Sequence, residues 1–582
     1  MKKIIYLLLA TTLLVSCGGN NSSSGESHEG KGGVYYGGVF RINELEDFRN
    51  LYPLNVTEAV STRITNQIYE GLVKPDAKDL SIVPCLAEKW TKNEDATQWT
   101  FTLRKGVVFH DDECFEGGRG REMTATDVKW CFDQLCTASA ENQQFANSFK
   151  DRVVGATEYF QSTIDKNPLT GGVAGVKIVD EYTIQINLIH PFAGFLNSLI
   201  TPGTWIYPKE AFEKYGVEMR TKCVGTGAFK VKTIKEGEVI ILEKNPNYWK
   251  VDSFGNQLPY LDAIKISFLK EKKSELLEFK SGNLEMMYRL PTEMIPDILG
   301  ELDNAKKGND PFEMQVIPAM SVFYYGFQHQ SDIFSKKEVR LAFNYAIDRE
   351  KIVTYTLQGE GIPGVYGIVP PSFPKYHSEL LQGYNLDIDK AKKLLEKAGY
   401  PGGKGFPELT LQINSGGGDR NVRTAEVIQK MLEENLGIQI EIEPLPFAEH
   451  LERLETGKAV FWRSGWNADY PDPETFLTLL YGKHVPASLS EKSYLNTVRY
   501  KSERFDSIFS AAMIETDEAK RFDLYRQADQ QAIDDGAIMP IFYDEGYRLI
   551  QTNVKNFPIN AMEYRDMSLV YLAPKEKKEE GK

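Results

Sequence analysis

Two hydrophobic periodicities take turns along this chain. Trp99-Thr100-Phe101-Thr102-Leu103-Arg104 and Thr183-Ile184-Gln185-Ile186-Asn187-Leu188 carry apolar side chains at every second position. A two-residue repeat predicts half-buried strands. Elsewhere the apolar positions recur three and four apart. Ala391, Leu394, Leu395 and Ala398 form one face of a helix predicted over 387–399, with Asp387 placed to cap its start and Gly399 to end it. Val339, Ala342, Phe343, Ala346 and Ile347 have the same spacing and predict a second helix, after which Asp348 can cap a short third. No internal repeat accompanies this mixture, so the pattern predicts an α/β or α+β chain.

One apolar segment stands apart. Ile4 to Val15 follows Lys2 and Lys3 and is too short to span a bilayer as a helix, so it reads as a cleaved export signal. Leu14-Val15-Ser16-Cys17 resembles the bacterial lipobox, whose cysteine becomes lipidated. Residues 1–16 are therefore expected to be a lipoprotein signal peptide and Cys17 the lipidated residue; an ordinary signal with a chance cysteine is the alternative. Gly18 to Gly33 is rich in Gly, Ser and Asn, which predicts a flexible tether over 17–33. The expected location is the cell envelope, on the periplasmic face of a membrane or on the outer cell surface where no outer membrane exists.

The rest of the chain, roughly 550 residues, exceeds what one hydrophobic core organises and predicts two or three domains. A formal charge of −14 supplies no broad basic footprint, which argues against nucleic acid as a partner. The end of the chain, 576–582, alternates lysine with glutamate and reads as a solvated tail. With Cys17 set aside, Cys85, Cys114, Cys131, Cys136 and Cys223 remain, an odd number, so at least one thiol is unpaired unless chains are linked. Neither Cys131 and Cys136 nor the scattered histidines have the spacing of a metal site, and no metal or cofactor is expected. Gly225-Thr226-Gly227 and Gly416-Gly417-Gly418 lack the partners of nucleotide or phosphate loops and read as turns. No Gly-x-Ser-x-Gly or His-Glu-x-x-His motif supports an enzyme.

Several segments, taken in order, carry a resemblance. They are Ile68-Tyr69-Glu70-Gly71-Leu72, Pro84 to Trp90, Trp99 to Arg104, Val108-Phe109-His110-Asp111-Asp112 and Thr124 to Val128. Gly225 to Lys230, Asn245-Pro246-Asn247-Tyr248-Trp249, Val339 to Arg349 and Gly465 to Pro473 follow. Together they resemble the family 5 extracellular solute-binding proteins, the peptide, nickel and dipeptide class of ABC-importer binding proteins. Cys114 to Arg121 departs from the pattern as a Gly- and charge-rich insertion. The resemblance implies a periplasmic-binding-protein type II-like α/β fold, two lobes around a ligand cleft with a hinge plus an extra smaller domain. Lobe I would take 34–59, 178–319 and 546–575, the extra domain II 60–177, and lobe III 320–545. Chain crossings near 320 and 545 would form the hinge. It also implies a monomeric, lipid-anchored receptor that captures oligopeptides or dipeptides and delivers them to a permease with its ATPase subunits.

The candidate site residues sit mostly in Phe461 to Pro473, where Arg463 and Asp469 lie in an aromatic, proline-stiffened segment. By resemblance Asp469 meets a peptide's α-ammonium and Arg463 its α-carboxylate. Each contact is a charge-assisted hydrogen bond worth about 1.5–3 kcal/mol. The blander alternatives are that Asp469 caps a turn before Pro471, or that the two pair with each other. Trp466 is expected to wall a side-chain pocket or to pin the loop. Ser321 to Phe327, with Tyr324 and Tyr325, lies where the family chain crosses between lobes. There its backbone would accept an extended peptide as an added strand, or its aromatics would simply be core. His329, near the presumed hinge, is a further contact candidate against a structural role. Alternative ligands on the same scaffold are a nickel chelate, haem, glutathione or an oligosaccharide; a secreted lipoprotein hydrolase is a third class.

Overall fold

Two long strands organise the molecule, Phe312–Phe327 and Ile538–Gln551. They run antiparallel, from Phe312 opposite Gln551 to Pro318 opposite Glu545, and again from Val322 opposite Tyr543 to Gly326 opposite Ile538. Between Pro318 and Val322 the register slips. Proline has no N–H to give a ladder, and extra residues on one strand bulge and bend it. The crossings placed at 320 and 545 fall beside this interruption. On one side of it Met286–Tyr288 pairs with the second long strand; on the other Phe461–Asn467, Leu409–Asn414 and Ile440–Leu445 extend the same seven-stranded sheet. The computed structural model describes residues 27–192, 194–305, 312–373, 375–416, 419–489 and 491–575. The expected signal peptide, Cys17 and the 576–582 tail lie outside the described residues.

Side chains of the first long strand alternate between two apolar clusters, as the pleat requires. Val322 and Tyr324 pack with Trp462 and Phe476 on one face; Phe323, Tyr325 and Phe327 pack with Val339, Phe343 and Phe461 on the other. Gly326 lies under the Trp462 indole, where a Cβ would come within 2.5 Å of the ring. The helix Lys337–Tyr345 covers the second cluster, and Ile388–Lys397 packs beside it. Asp387 caps the latter by accepting from the Lys390 N–H at 2.9 Å, and Asp348 caps the turn after the former by accepting from Lys351 at 3.0 Å.

The other half holds two four-stranded sheets. One runs Phe229–Lys235, Val239–Lys244, Ala263–Ser267, Val39–Asn43, the last pair parallel. The other runs Ala87–Lys92, Gln98–Leu103, Thr183–Asn187, Val176–Asp180. The two alternating segments read from the sequence are neighbours here, with Trp99 opposite Ile186 and Phe101 opposite Ile184, all four buried. One continuous apolar cluster underlies both sheets.

Two expectations need correction. A boundary at 177/178 would cut the strand Val176–Asp180, and its sheet continues to Asn187. A cut there would orphan ladder hydrogen bonds, so the smaller sheet ends at 187. The end of the expected tether is also ordered: His28–Glu29 pairs with Tyr35–Tyr36, and the His28 ring stacks on Tyr36 at 4.9 Å. Gly32 and Gly33, both at positive φ, make the turn. The five cysteines are unpaired thiols, four of them buried. Among the described residues no helix is long and apolar enough to cross a membrane.

A buried charge cluster sits at the crossing. Asp544 of the second long strand accepts from Arg289 of one half and, at 3.1 Å, from Arg420 of the other. Burial would raise its carboxyl, but the two guanidinium groups outweigh that and hold it below the usual carboxylate range. Removing one partner of such a group leaves uncompensated buried charge, which costs about 3–5 kcal/mol. Asp544→Asn is therefore expected to lower stability by about that amount, read as the shift in urea midpoint.

Candidate ligand-binding site

A cavity of about 390 Å³ lies between the two halves. Hydrogen bonds close its seam from several directions. Arg49 pairs with Glu455 at 3.1 Å, the Tyr494 hydroxyl donates to the Thr57 carbonyl at 3.2 Å, and Arg152 pairs with Glu474 at 2.7 Å. Asn414 Nδ2 donates to Glu46 Oε1 at 3.1 Å.

The wall that matters most is the strand Phe461–Asn467. Along one edge it pairs with Ser321–Phe327 over its full length. Along the other it pairs with the strand Leu409–Asn414 only at Phe461 and Trp462, so from Arg463 onward no strand among the described residues pairs with this edge. Backbone groups of an antiparallel strand turn alternately to the two sides. Ala468 N–H donates to the Met320 carbonyl, whereas the Arg463 carbonyl turns away and accepts from His450 Nε2 at 3.1 Å. By the same parity Gly465 and Asn467 turn their N–H and C=O groups outward, toward the cavity that both line. The strand Val322–Gly326, by contrast, is paired on both edges and has no backbone left for an added strand. The edge left open is one strand further along than the resemblance implied.

Arg463 and Asp469 both line this cavity, and they do not pair with each other. Arg463 Nη1 donates to Asn414 Oδ1 at 3.1 Å, and the guanidinium lies 4.7 Å from the Phe323 ring centroid. Among the described residues its Nε and Nη2 have no hydrogen-bond partner. Desolvation pulls it down to about 10, and the nearby Arg289 and Arg420 push the same way. Asp469 is half-buried, and its one side-chain partner is the Thr475 hydroxyl at a long 3.4 Å. Burial pushes its carboxyl up to about 7, against the Thr475 hydrogen bond and with Glu474 adding to the rise. Each of the two is thus a desolvated ionisable group with few partners among the described residues.

Trp466 is half-buried in the cavity wall, 6.3 Å from the Tyr494 ring, with its indole N–H 3.5 Å from Thr475 Oγ1. It walls the cavity and steadies the loop at once. Tyr324 lines the cavity. Tyr325 does not: it shares a face with Phe323 and Arg463 but is more deeply buried, 5.6 Å from the Phe461 ring, its hydroxyl without a hydrogen-bond partner among the described residues. Asp472 is held by Arg521 at 3.0 Å and by the Glu474 N–H, as a turn residue. His329 bonds the Ala537 carbonyl at 2.9 Å and packs on Tyr500, away from the cavity.

Other wall residues had no sequence signal. His450 is buried and pulled down to about 3, first by desolvation and then by Arg463, so it is neutral. Gln412 Nε2 meets its Nδ1 at 2.9 Å, which leaves Nε2–H to donate to the Arg463 carbonyl. Arg289 sits at φ 61, strained for a residue with a side chain, with its guanidinium 5.1 Å from the Phe323 ring. Glu46 reads in sequence as part of an acidic surface run and Asn414 as the polar end of a strand.

The family model for bacterial extracellular solute-binding proteins, family 5 (middle), matches residues 81–486. The periplasmic oligopeptide-binding protein OppA of Escherichia coli is 28% identical over 543 residues, covering 91% of this chain and 92% of its own. Heme-binding protein A of Haemophilus influenzae is 28% identical over 513 residues, covering 87% of each. Among solved structures, the periplasmic binding protein DppA of Helicobacter pylori, in complex with the peptide STSA, aligns with a TM-score of 0.80 at 25% identity. That alignment covers 93% of this chain and 99% of the other.

The Asp469 carboxyl implies a pH signature. Its folded pKa lies above the unfolded value of about 4, so the folded state binds the proton more tightly and loses stability as pH rises from about 4 through 7. Discounted for partial exposure, the loss is on the order of 1–2 kcal/mol. In ligand-free protein Asp469→Asn is expected to melt higher than wild type at pH 8, with the gap narrowing at pH 5. A gap of constant size would place the cause elsewhere.

Proposed function

The chain belongs to the bacterial extracellular solute-binding proteins of family 5, and on that footing we propose a lipid-anchored receptor that captures short peptides and delivers them to an ABC permease. One observation carries the choice of ligand. A single strand edge with unpaired backbone groups has an underused carboxylate at one end and an underused guanidinium at the other. A peptide supplies all the missing partners: an ammonium for Asp469, a carboxylate for Arg463, and amides for Gly465 and Asn467. Backbone recognition of this kind is blind to side-chain identity, which Trp466 and Tyr324 then meet as apolar walls. A neutral sugar would leave both charges desolvated without a counter-charge, so it is disfavoured.

Capture requires closure. In the proposed division lobe I and lobe III swing about the interruption in the two long strands, and the seam contacts form in the closed state. Ligand shifts that equilibrium only through contacts made better when closed, and an ammonium and carboxylate each held by one anchor meet that condition.

The test is a cycle on the ammonium end. Asp469→Asn is expected to weaken binding of a free-amino tripeptide at least about tenfold, equivalent to about 1.4 kcal/mol. N-acetylating the peptide should weaken wild type equally and add little to the variant. Equal affinity of wild type for the free and acetylated forms, by calorimetry at pH 8, would remove Asp469 from this role.

A further inference from the structure

We infer that the bridge from Asn414 to Glu46 is an end-stop that sets the longest ligand the cleft accepts. The inference rests on the peptide reading above and adds a specificity determinant to it. The strand Leu409–Asn414 runs parallel to Phe461–Asn467 and pairs with it at Leu411 opposite Phe461 and Gln412 opposite Trp462. It therefore fills the very edge that becomes free at Arg463. A chain laid along the free edge meets, at its Arg463 end, the end of another strand rather than solvent.

Asn414, the last residue of that strand, is held from four sides. Its Oδ1 accepts from Arg463 Nη1 at 3.1 Å and from Asn421 Nδ2 at 3.4 Å; its Nδ2 donates to the Gly416 carbonyl at 3.0 Å and to Glu46 Oε1 at 3.1 Å. Glu46 arrives from the opposite half. It packs so closely on Gly416 that a Cβ there would lie 2.1 Å from Oε1, so a larger residue would push the carboxylate aside. The seam at this end is thus shut by backbone from one half and a side chain from the other. Glu46 also presents negative charge just past Arg463, where a chain running on would place further carbonyl oxygens or a second carboxylate.

The free edge from Arg463 to Asn467 spans about 13 Å, the length of about four extended residues. Wild type is therefore expected to bind free-ended alanine peptides up to about that length and to lose at least tenfold in affinity at one further step. Glu46→Ala opens the seam while leaving Asp469 untouched and the Arg463 hydrogen bond to Asn414 Oδ1 possible. It should move that step at least one residue longer, read within the variant as the ratio of its affinities for successive peptide lengths. Glu46→Gln keeps the volume and the acceptor for Asn414, and should leave the step where wild type has it.

The measurement is calorimetric titration of the full protein, stripped of ligand by unfolding and refolding, with tri- to hexa-alanine. Melting curves check that each variant folds. An unmoved step in folded Glu46→Ala overturns the end-stop, as does a Glu46→Gln step that moves as far as the alanine one. Wild type binding none of the peptides instead overturns the peptide reading on which it stands.

Discussion

The site depends on a single constraint, that the strand Phe461–Asn467 is paired along all of one edge and along only its first two residues on the other. Buried backbone donors and acceptors need partners, and a strand half-wrapped inside a cavity keeps that demand open until a ligand meets it. The same strand carries Arg463 and leads directly into Asp469, so one register sets the backbone groups and both charged side chains together. A slip by one residue would turn every side chain to the other face. Two contacts guard against it: Trp462 closing over Gly326, and His450 holding the Arg463 carbonyl.

Several buried charges of the scaffold are matched by counter-ions. Asp544 has two arginines, Asp472 has Arg521, and Glu474 has Arg152; these buried charges are matched and hold the halves and their loops in shape. Arg463 and Asp469 share the same desolvation with fewer partners, whereas Arg349 and Asp529, also without counter-ions among the described residues, are each held by three or more hydrogen bonds. Native proteins satisfy nearly all buried polar groups, so incomplete ones gathered in one cavity point to what the cavity receives.

The alternating strands, the two capped helices and the charged segment around Trp466 were legible because each depends on local spacing. What failed depended on partners. Adjacent tyrosines 324 and 325 look alike in sequence, yet only the first reaches the cavity, while the second is buried beside Phe461. The strand 321–327 looked available for a peptide because pairing on both edges is invisible from one segment. The edge left open emerges only when the pairing with Leu409–Asn414 is seen to end at Trp462. His450, Asn414 and Glu46 act through contacts between segments up to several hundred residues apart, which no local pattern encodes. The ordered hairpin at 28–36 was hidden by glycines, whose positive φ serves a tight turn as readily as a loose linker.

The central claim is that this cleft is built for peptides, and native mass spectrometry of the protein as purified tests it most directly. Mild conditions keep the complex, and denaturing release followed by sequencing identifies the cargo. The account predicts a ladder of short peptide masses with free termini and varied side chains. A single metal chelate, haem or sugar in its place would contradict it.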